Sequence, residues 1–331
     1  MSPPTARSTG APGRRRALAL SDGAAGNENQ ALALAAALAG QVEALRLAPR
    51  APWRWAAPHR LPGASGALGA AFAERLRAPW PDLAIGCGRQ AALASRLVRE
   101  ASGGACRSVQ ILDPRIDTRH FDLVVAPEHD RLHGTNVITT RGALNAIDDA
   151  WLERARARFA ALQALPAPRL ALLIGGPTRA LALDPDYWTA LVAALKAHLA
   201  RDGGSVLATS SRRTPAWLRE AMRRDLAALP GRQWHGPEDG DNPYSGFLAW
   251  ADAIVVTPDS VNMLSEAAAT RVPVFTFAPQ PPGGKVGRFA RMLRESGRTR
   301  ALGEDFGTAR IEPLRETERV AAAIRAHFGW T

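Results

Sequence analysis

Hydrophobic residues fall along this chain in two rhythms. Short, nearly unbroken apolar runs alternate with longer stretches in which apolar residues recur every three or four positions. In the first half the runs at 17–20, 83–87, 108–112, 123–126 and 137–139 predict strands, and 29–39, 90–100 and 149–164 predict helices. The second half repeats the plan. Strands are predicted at 170–174, 205–209, 253–257 and 274–277, and helices at 185–199, 215–229, 261–269 and 316–328. Strands this short and this apolar, separated by helices, imply parallel sheets covered on both faces. The halves also begin alike. Arg16-Ala17-Leu18-Ala19-Leu20 and Arg169-Leu170-Ala171-Leu172-Leu173-Ile174 each run into a glycine-containing loop and a helix, and Pro166-Ala167-Pro168 lies between the halves as a stiff connector. The expected fold is α/β, with two Rossmann-like domains whose parallel sheets face each other across a cleft. The expected organisation is a disordered tail at 1–14, a first domain at 15–165 and a second at 166–331, its last helix able to pack back on the first. Ligands then belong at the carboxyl ends of the strands.

Composition narrows the class. With 331 residues, 46% hydrophobic and 22% charged, the chain is not mostly disordered. Its 42 Lys+Arg against 31 Asp+Glu give a net charge of +11, which invites a nucleic-acid reading. All the cations except Lys196 and Lys285 are arginines, and Ala, Gly and Pro are abundant. That skew points to composition bias, and basic–aromatic interleaving is confined to Trp53-Arg54-Trp55, so no nucleic-acid partner is expected. Two cysteines, Cys87 and Cys106, make neither a disulfide framework nor a four-ligand zinc site, and no metal is expected. Arg14, Arg15 and Arg16 precede only four apolar residues, too few for an export signal. No apolar run reaches the 18 or so residues of a membrane span. A cytoplasmic protein without an integral span is expected, with peripheral membrane contact left open.

Four loops carry candidate chemistry. The first, after 17–20, holds Gly26, Asn27, Glu28, Asn29 and Gln30 at a helix start, where free N–H groups favour an anion. It lacks the Gly-x-Gly-x-x-Gly dinucleotide spacing and reads equally as a capped turn. The second, Glu128-His129-Asp130 after 123–126, could supply a general base or be a solvated loop; Asp113-Pro114-Arg115 follows the preceding strand. The third pairs Gly175-Gly176 and Arg179 with Ser211-Arg212-Arg213 on successive strands, where backbone N–H groups and guanidinium forks suit a diphosphate. The fourth runs from the strand at 253–257 through Pro258-Asp259-Ser260 into a helix that bears Glu266, whose carboxylate could accept two hydrogen bonds from a ribose diol.

This strand–Asp-Ser–helix–Glu–Ala-Ala–Pro-Val segment resembles the donor-nucleotide segment of GT-B glycosyltransferases, notably the enzyme that adds N-acetylglucosamine to the lipid-linked cell-wall precursor, and of related nucleotide-sugar epimerases. The resemblance implies that Glu266 holds the ribose, that Asp259 and Ser260 approach the donor phosphates, and that Arg212 or Arg213 contacts the diphosphate. Position 271 departs from that pattern: Arg271 stands where the family has glycine.

A wider set of motifs occurs in one order: Gly26-Asn27-Glu28-Asn29-Gln30, Ile85-Gly86-Cys87-Gly88-Arg89, Asp122 to Asp130, Ser211-Arg212-Arg213-Thr214-Pro215, Asn242-Pro243-Tyr244 and Val256-Thr257-Pro258-Asp259-Ser260. These resemble the bacterial family that shares a domain with the plant mitochondrial-fission Elm factor, whose members are often labelled nucleoside-diphosphate-sugar epimerase. The resemblance implies a GT-B-like protein that binds a nucleoside diphosphate sugar as substrate, with no separate cofactor. The expected reaction is metal-independent glycosyl transfer to an unknown acceptor, with Glu128, His129 or Asp130 as base. Epimerisation on the same fold, or non-catalytic recruitment of the kind the plant branch performs on a dynamin-like protein, are the alternatives.

Overall fold

Apolar runs too short to bury themselves as helices become strands when a like-directed neighbour satisfies their backbone on each side. The computed structural model describes residues 15–304 and 311–330, so the tail expected at 1–14 lies outside the described residues. The chain divides into two compact units, Met1–Ala146 with Glu316–Thr331, and Ile147–Arg315.

The first unit contains β1 (Arg16–Ser21), α1 (Ala25–Leu38), β2 (Gln41–Arg46), the short helices α2 (Trp53–Ala56), α3 (Ala64–Ala67) and α4 (Ala70–Glu74), β3 (Leu83–Cys87), α5 (Arg89–Ala101), β4 (Arg107–Ile111), β5 (Leu123–Pro127) and β6 (Val137–Thr140). Its sheet is six-stranded, in the order β2-β1-β3-β4-β5-β6. Every pairing in it is parallel. Leu20 lies beside Gly86, so β1 and β3 end level with each other. The order reverses between these two strands, because β2 lies on one side of β1 and every later strand on the other.

The second unit contains α6 (Asp149–Arg158), β7 (Arg169–Ile174), α7 (Pro185–Asp202), β8 (Ser205–Ser210), α8 (Ala216–Asp225), β9 (Gly231–Trp234), α9 (Tyr244–Trp250), β10 (Ala253–Val256), α10 (Val261–Ala268), β11 (Val274–Thr276), α11 (Gly284–Glu295) and β12 (Arg300–Ala301). Its parallel sheet runs β12-β11-β10-β7-β8-β9 and reverses between β7 and β10. The fold is thus α/β and GT-B-like, with two Rossmann-like units. The last helix, α12 (Thr317–Phe328), belongs to the first unit, where Val320, Ala321 and Ile324 join the core formed by Leu34, Leu38 and Val109.

The division of the chain differs from the boundary expected at 165/166. α6 and the 3-10 turn Ala160–Ala164 belong to the second unit, because Leu152, Ala155 and Leu162 pack with Phe247, Leu248 and Ala249. The approach of α9 is close: a Cβ on Gly246 would sit 2.6 Å from the Cβ of Phe159. No helix among the described residues is long and apolar enough to cross a membrane.

Candidate functional site

In parallel α/β sheets the ligand crevice opens at the carboxyl edge where strand order reverses. In the second unit that edge joins the loops after β7 and β10. Thr257 Oγ accepts the Gly175 N–H at 2.8 Å and donates to Asp259 at 2.7 Å, and Asp259 accepts the Gly176 N–H at 3.1 Å. The Asp259 side chain is 0% exposed, whereas Arg213, which pairs with it at 2.6 Å from the loop after β8, keeps 48% of its side chain in solvent. Both glycines are required by contact. A Cβ on Gly175 would lie 2.0 Å from an Asp259 oxygen, and one on Gly176 2.4 Å from the Arg213 carbonyl. The β8 loop is pinned in turn, because Ser211 donates its N–H to the Ile174 carbonyl at 2.8 Å and its hydroxyl accepts the Arg213 N–H at 3.1 Å. Arg212 and Arg179 stand exposed, and neither is in an ion pair among the described residues.

Ser260 caps α10, its hydroxyl accepting the Met263 N–H at 3.5 Å. Two turns on, Glu266 is half-buried and accepts a short hydrogen bond from the buried Tyr244 hydroxyl. Burial, and next the Glu266 charge, hold the Tyr244 phenol well above its ordinary pKa, so it stays a donor. Tyr244 owes its place to Asn242, whose side chain accepts its N–H at 2.9 Å at the start of α9. The far end of α10 is held by Arg298, which is 6% exposed and donates to the carbonyls of Ala267, Ala268 and Thr270 at 3.2, 2.9 and 2.8 Å. A cation on the last carbonyls of a helix complements its dipole. Burial lowers the Arg298 pKa to about 10, which leaves it charged. Arg271, the departure from the donor pattern, turns away and pairs with Asp149 at 3.0 Å.

The first unit places Gly26, Asn27, Glu28, Asn29 and Gln30 in the opening turns of α1, where Ala24 is the N-cap and supplies no side-chain cap. Asp22 instead accepts the Ala24 N–H and the Asn27 amide, both at 3.1 Å. The Asn27 carbonyl oxygen receives the Cys87 thiol at 3.6 Å, and Gly88, at φ +89°, leaves room for the amide. Glu28 pairs with Arg46 at 2.9 Å, Asn29 is exposed and Gln30 is buried. After β5, Glu128 is exposed, while His129 and Asp130 are largely covered, the His129 ring 3.8 Å from the Asp130 carboxylate. That separation is an ion-pair distance and too long for a hydrogen bond. No cluster of three or more His, Cys, Asp or Glu suited to a metal occurs among the described residues.

The signature of the family described as mitochondrial fission ELM1 matches residues 25–328. The chain belongs to this family. Over 282 residues it is 32% identical to the mitochondrial fission protein ELM1 of Arabidopsis thaliana, a match covering 76% of this chain and 65% of that protein. It is 25% identical over 289 residues to the uncharacterized protein RP120 of Rickettsia prowazekii, covering 74% and 79%. Among solved structures, UDP-GlcNAc 2-epimerase from Methanocaldococcus jannaschii is similar with a TM-score of 0.57 at 13% identity, covering 94% of this chain and 99% of that one. The same enzyme from Neisseria meningitidis, bound to UDP-GlcNAc, gives 0.55 at 10% identity, covering 95% and 99%. These likenesses are likenesses of fold.

In this ELM1-family chain the structure brings Gly175, Gly176, Arg213 and Asp259 together, and sets Ser260 and Glu266 on the helix that follows. One expectation changes. The Gly175 N–H is taken by Thr257 and the Gly176 N–H by Asp259 inside the fold, because a carboxylate without solvent draws in the donors around it. At this edge Arg179 and Arg212 are exposed, and Arg213 keeps 48% of its side chain in solvent. Sequence reasoning missed Tyr244 as the partner of Glu266 and Arg298 as the cap of α10. Neither spacing carries a signal for these contacts. The motif Asn242-Pro243-Tyr244 was the nearest clue.

Proposed function

We propose that the second unit binds the nucleoside diphosphate of a nucleotide sugar, and that the protein is a metal-independent glycosyltransferase. The observation that carries this is the charge arrangement at the β7/β10 reversal: a buried carboxylate, Asp259, holds Arg213 with half its side chain facing out, beside the exposed Arg212. In this reading the two guanidinia and the amino end of α10, at Ser260, stabilise the leaving diphosphate. Glu266, steadied by Tyr244, accepts the ribose diol. The nucleotide sugar is the substrate and no further cofactor is invoked. The acceptor docks on the first unit, where Glu128, His129 or Asp130 supplies the base. The UDP-GlcNAc carried by a protein of similar fold supports the choice of ligand class.

A second reading has its own support. The Gly175 and Gly176 N–H groups are already satisfied within the fold, as in a protein that keeps the architecture and acts by recruitment. The Arabidopsis relative is named for mitochondrial fission, and this chain matches 65% of its length. Calorimetry with UDP, ADP, GDP and TDP separates the two. The glycosyltransferase reading expects binding to at least one, weakened about tenfold by Glu266→Gln, the scale of one lost charge-assisted hydrogen bond. Well-folded protein that binds none of them leaves the recruitment reading standing. Product analysis with the cognate sugar nucleotide separates transfer from epimerisation, which needs no acceptor.

A further inference from the structure

We propose that Trp55, with the arginines around it, forms an interfacial contact with an anionic lipid surface. Trp55, on α2, is 71% exposed, against 38% for Val42 and 37% for Trp217. A lone exposed aromatic is ordinary on a protein surface. What sets this one apart is its scaffold. The connection from β2 to β3 is fixed on its inner side, where Ala57, Ala64, Leu68 and Phe72 pack with Leu93 and Leu97 of α5. Trp53 is riveted by its indole N–H to the Pro62 carbonyl at 3.0 Å, and the Arg89 guanidinium donates to the Ala57 carbonyl at 3.3 Å. The segment is therefore held with Trp53 turned in and Trp55 turned out.

The charge carried by its own segment has one sign. From Leu47 to Ala73 the sequence contains no Asp or Glu, while Arg50, Arg54 and Arg60 are all exposed. Arg60 is neutralised by Glu100 at 2.6 Å, and the Arg50 guanidinium donates to the Gly66 carbonyl at 3.3 Å. Arg54, next to Trp55, has no ion-pair partner among the described residues. An indole prefers the headgroup level, where its ring leaves water and its N–H remains wet. Arginines beside it gain from an anionic leaflet. A single outward aromatic lacks the run of stacking platforms that a nucleic-acid strand uses. The surface thus fits a peripheral contact with acidic phospholipid headgroups.

The test is co-sedimentation of the full chain with vesicles of phosphatidylcholine alone and of equal parts phosphatidylcholine and phosphatidylglycerol. Binding to the mixed vesicles is expected. Trp55→Ser should weaken it about tenfold, from loss of the buried ring, and Arg54→Gln about fivefold, from loss of one cation near the surface. Both residues are exposed, and an unchanged urea midpoint verifies the fold of each variant. Three results overturn the proposal: no binding to the mixed vesicles, binding that neither substitution changes (so that net charge alone drives it), or single-stranded DNA binding with the same dependence on Trp55.

Discussion

The two places where strand order reverses solve the same problem differently. At the β1/β3 edge the polar loop is built around a neutral amide: Asn27 is gripped by Asp22 at 3.1 Å and by the Cys87 thiol at 3.6 Å, and the Asp22 carboxylate stays exposed. At the β7/β10 edge it is built around a charge: Asp259, 0% exposed, draws in two loops and an arginine from a third. A neutral centre asks little of its neighbours. A buried carboxylate must be matched by donors and by a cation, so it fixes the position of whatever supplies them. The second edge consequently holds a half-exposed arginine on a fully buried carboxylate, whereas the arginine of the first, Arg46, pairs with a carboxylate, Glu28, that keeps 16% of its side chain in solvent.

Removing the cation should show this most strongly. Arg213→Ala leaves Asp259 buried without its counter-charge and is expected to cost about 3 kcal/mol of stability in the second unit. Asp22→Ala, which removes an exposed acceptor of two local hydrogen bonds, should cost about 1 kcal/mol or less in the first. Urea unfolding of the two variants, each against the parent, measures both. Equal losses would break the contrast.

How far this difference could be read from the sequence depends on where the signal lies. Strands buried on both faces announced themselves: the runs expected at 83–87 and 170–174 are β3 and β7 to within a residue. β2 did not, because Gln41-Val42-Glu43-Ala44-Leu45-Arg46 is an exposed edge strand and carries no apolar run. β9 was silent for the same reason. α11 was hidden by Gly284 and Gly287, residues that argue against a helix, yet a Cβ at 287 would lie 1.9 Å from the Pro282 carbonyl. At the site, Gly175-Gly176 and Asp259-Ser260 were visible as loops on the right strands. That Asp259 points inward was not, since hydrophobic rhythm places a residue on an element but does not say which donors its side chain will find. Tyr244 and Glu266 lie on separate helices, and only the packing of α9 and α10 joins them.

One buried group in each unit should also tie stability to pH, at opposite ends of the scale. His235, at the carboxyl end of β9, is 6% exposed, and burial, with Arg223 nearby, lowers its pKa to about 4. The fold holds it neutral while the unfolded chain takes up a proton below about 6.5. The contribution of His235 should therefore be fully present above about pH 6.5 and fall by on the order of 2–3 kcal/mol as pH falls towards 4. In the first unit burial pushes the Cys87 thiol up from 9.0, and the Asp22 charge adds to the shift. The fold holds that thiol protonated, so its contribution is present below about pH 9 and is lost as pH rises beyond it. Unfolding midpoints across pH, with His235→Gln and Cys87→Ala, test both limbs. Each substitution should reduce one limb by that group's share and leave the other unchanged.

The smallest expected effect asks whether Tyr244 does for Glu266 what Cys87 and Asp22 do for Asn27, namely help to hold a side chain in place. Tyr244→Phe keeps the partly buried ring and removes only the hydroxyl that donates to the Glu266 carboxylate. Glu266 is half-buried and water can replace the lost donor, so the stability loss should be about 1 kcal/mol. If Glu266 accepts a ribose diol, the larger consequence lies in selectivity. A carboxylate held by one donor fewer is less well aimed at two hydroxyls, so affinity for UDP should fall about fivefold, while that for 2′,3′-dideoxy-UDP, which makes no such bonds, should hardly change. Calorimetry on the two ligands gives the ratio directly. An equal fall for both would mean that Tyr244 serves the packing of α9 on α10, and would leave Asp259 and Arg213, without Glu266, as the fixed charges of the β7/β10 edge.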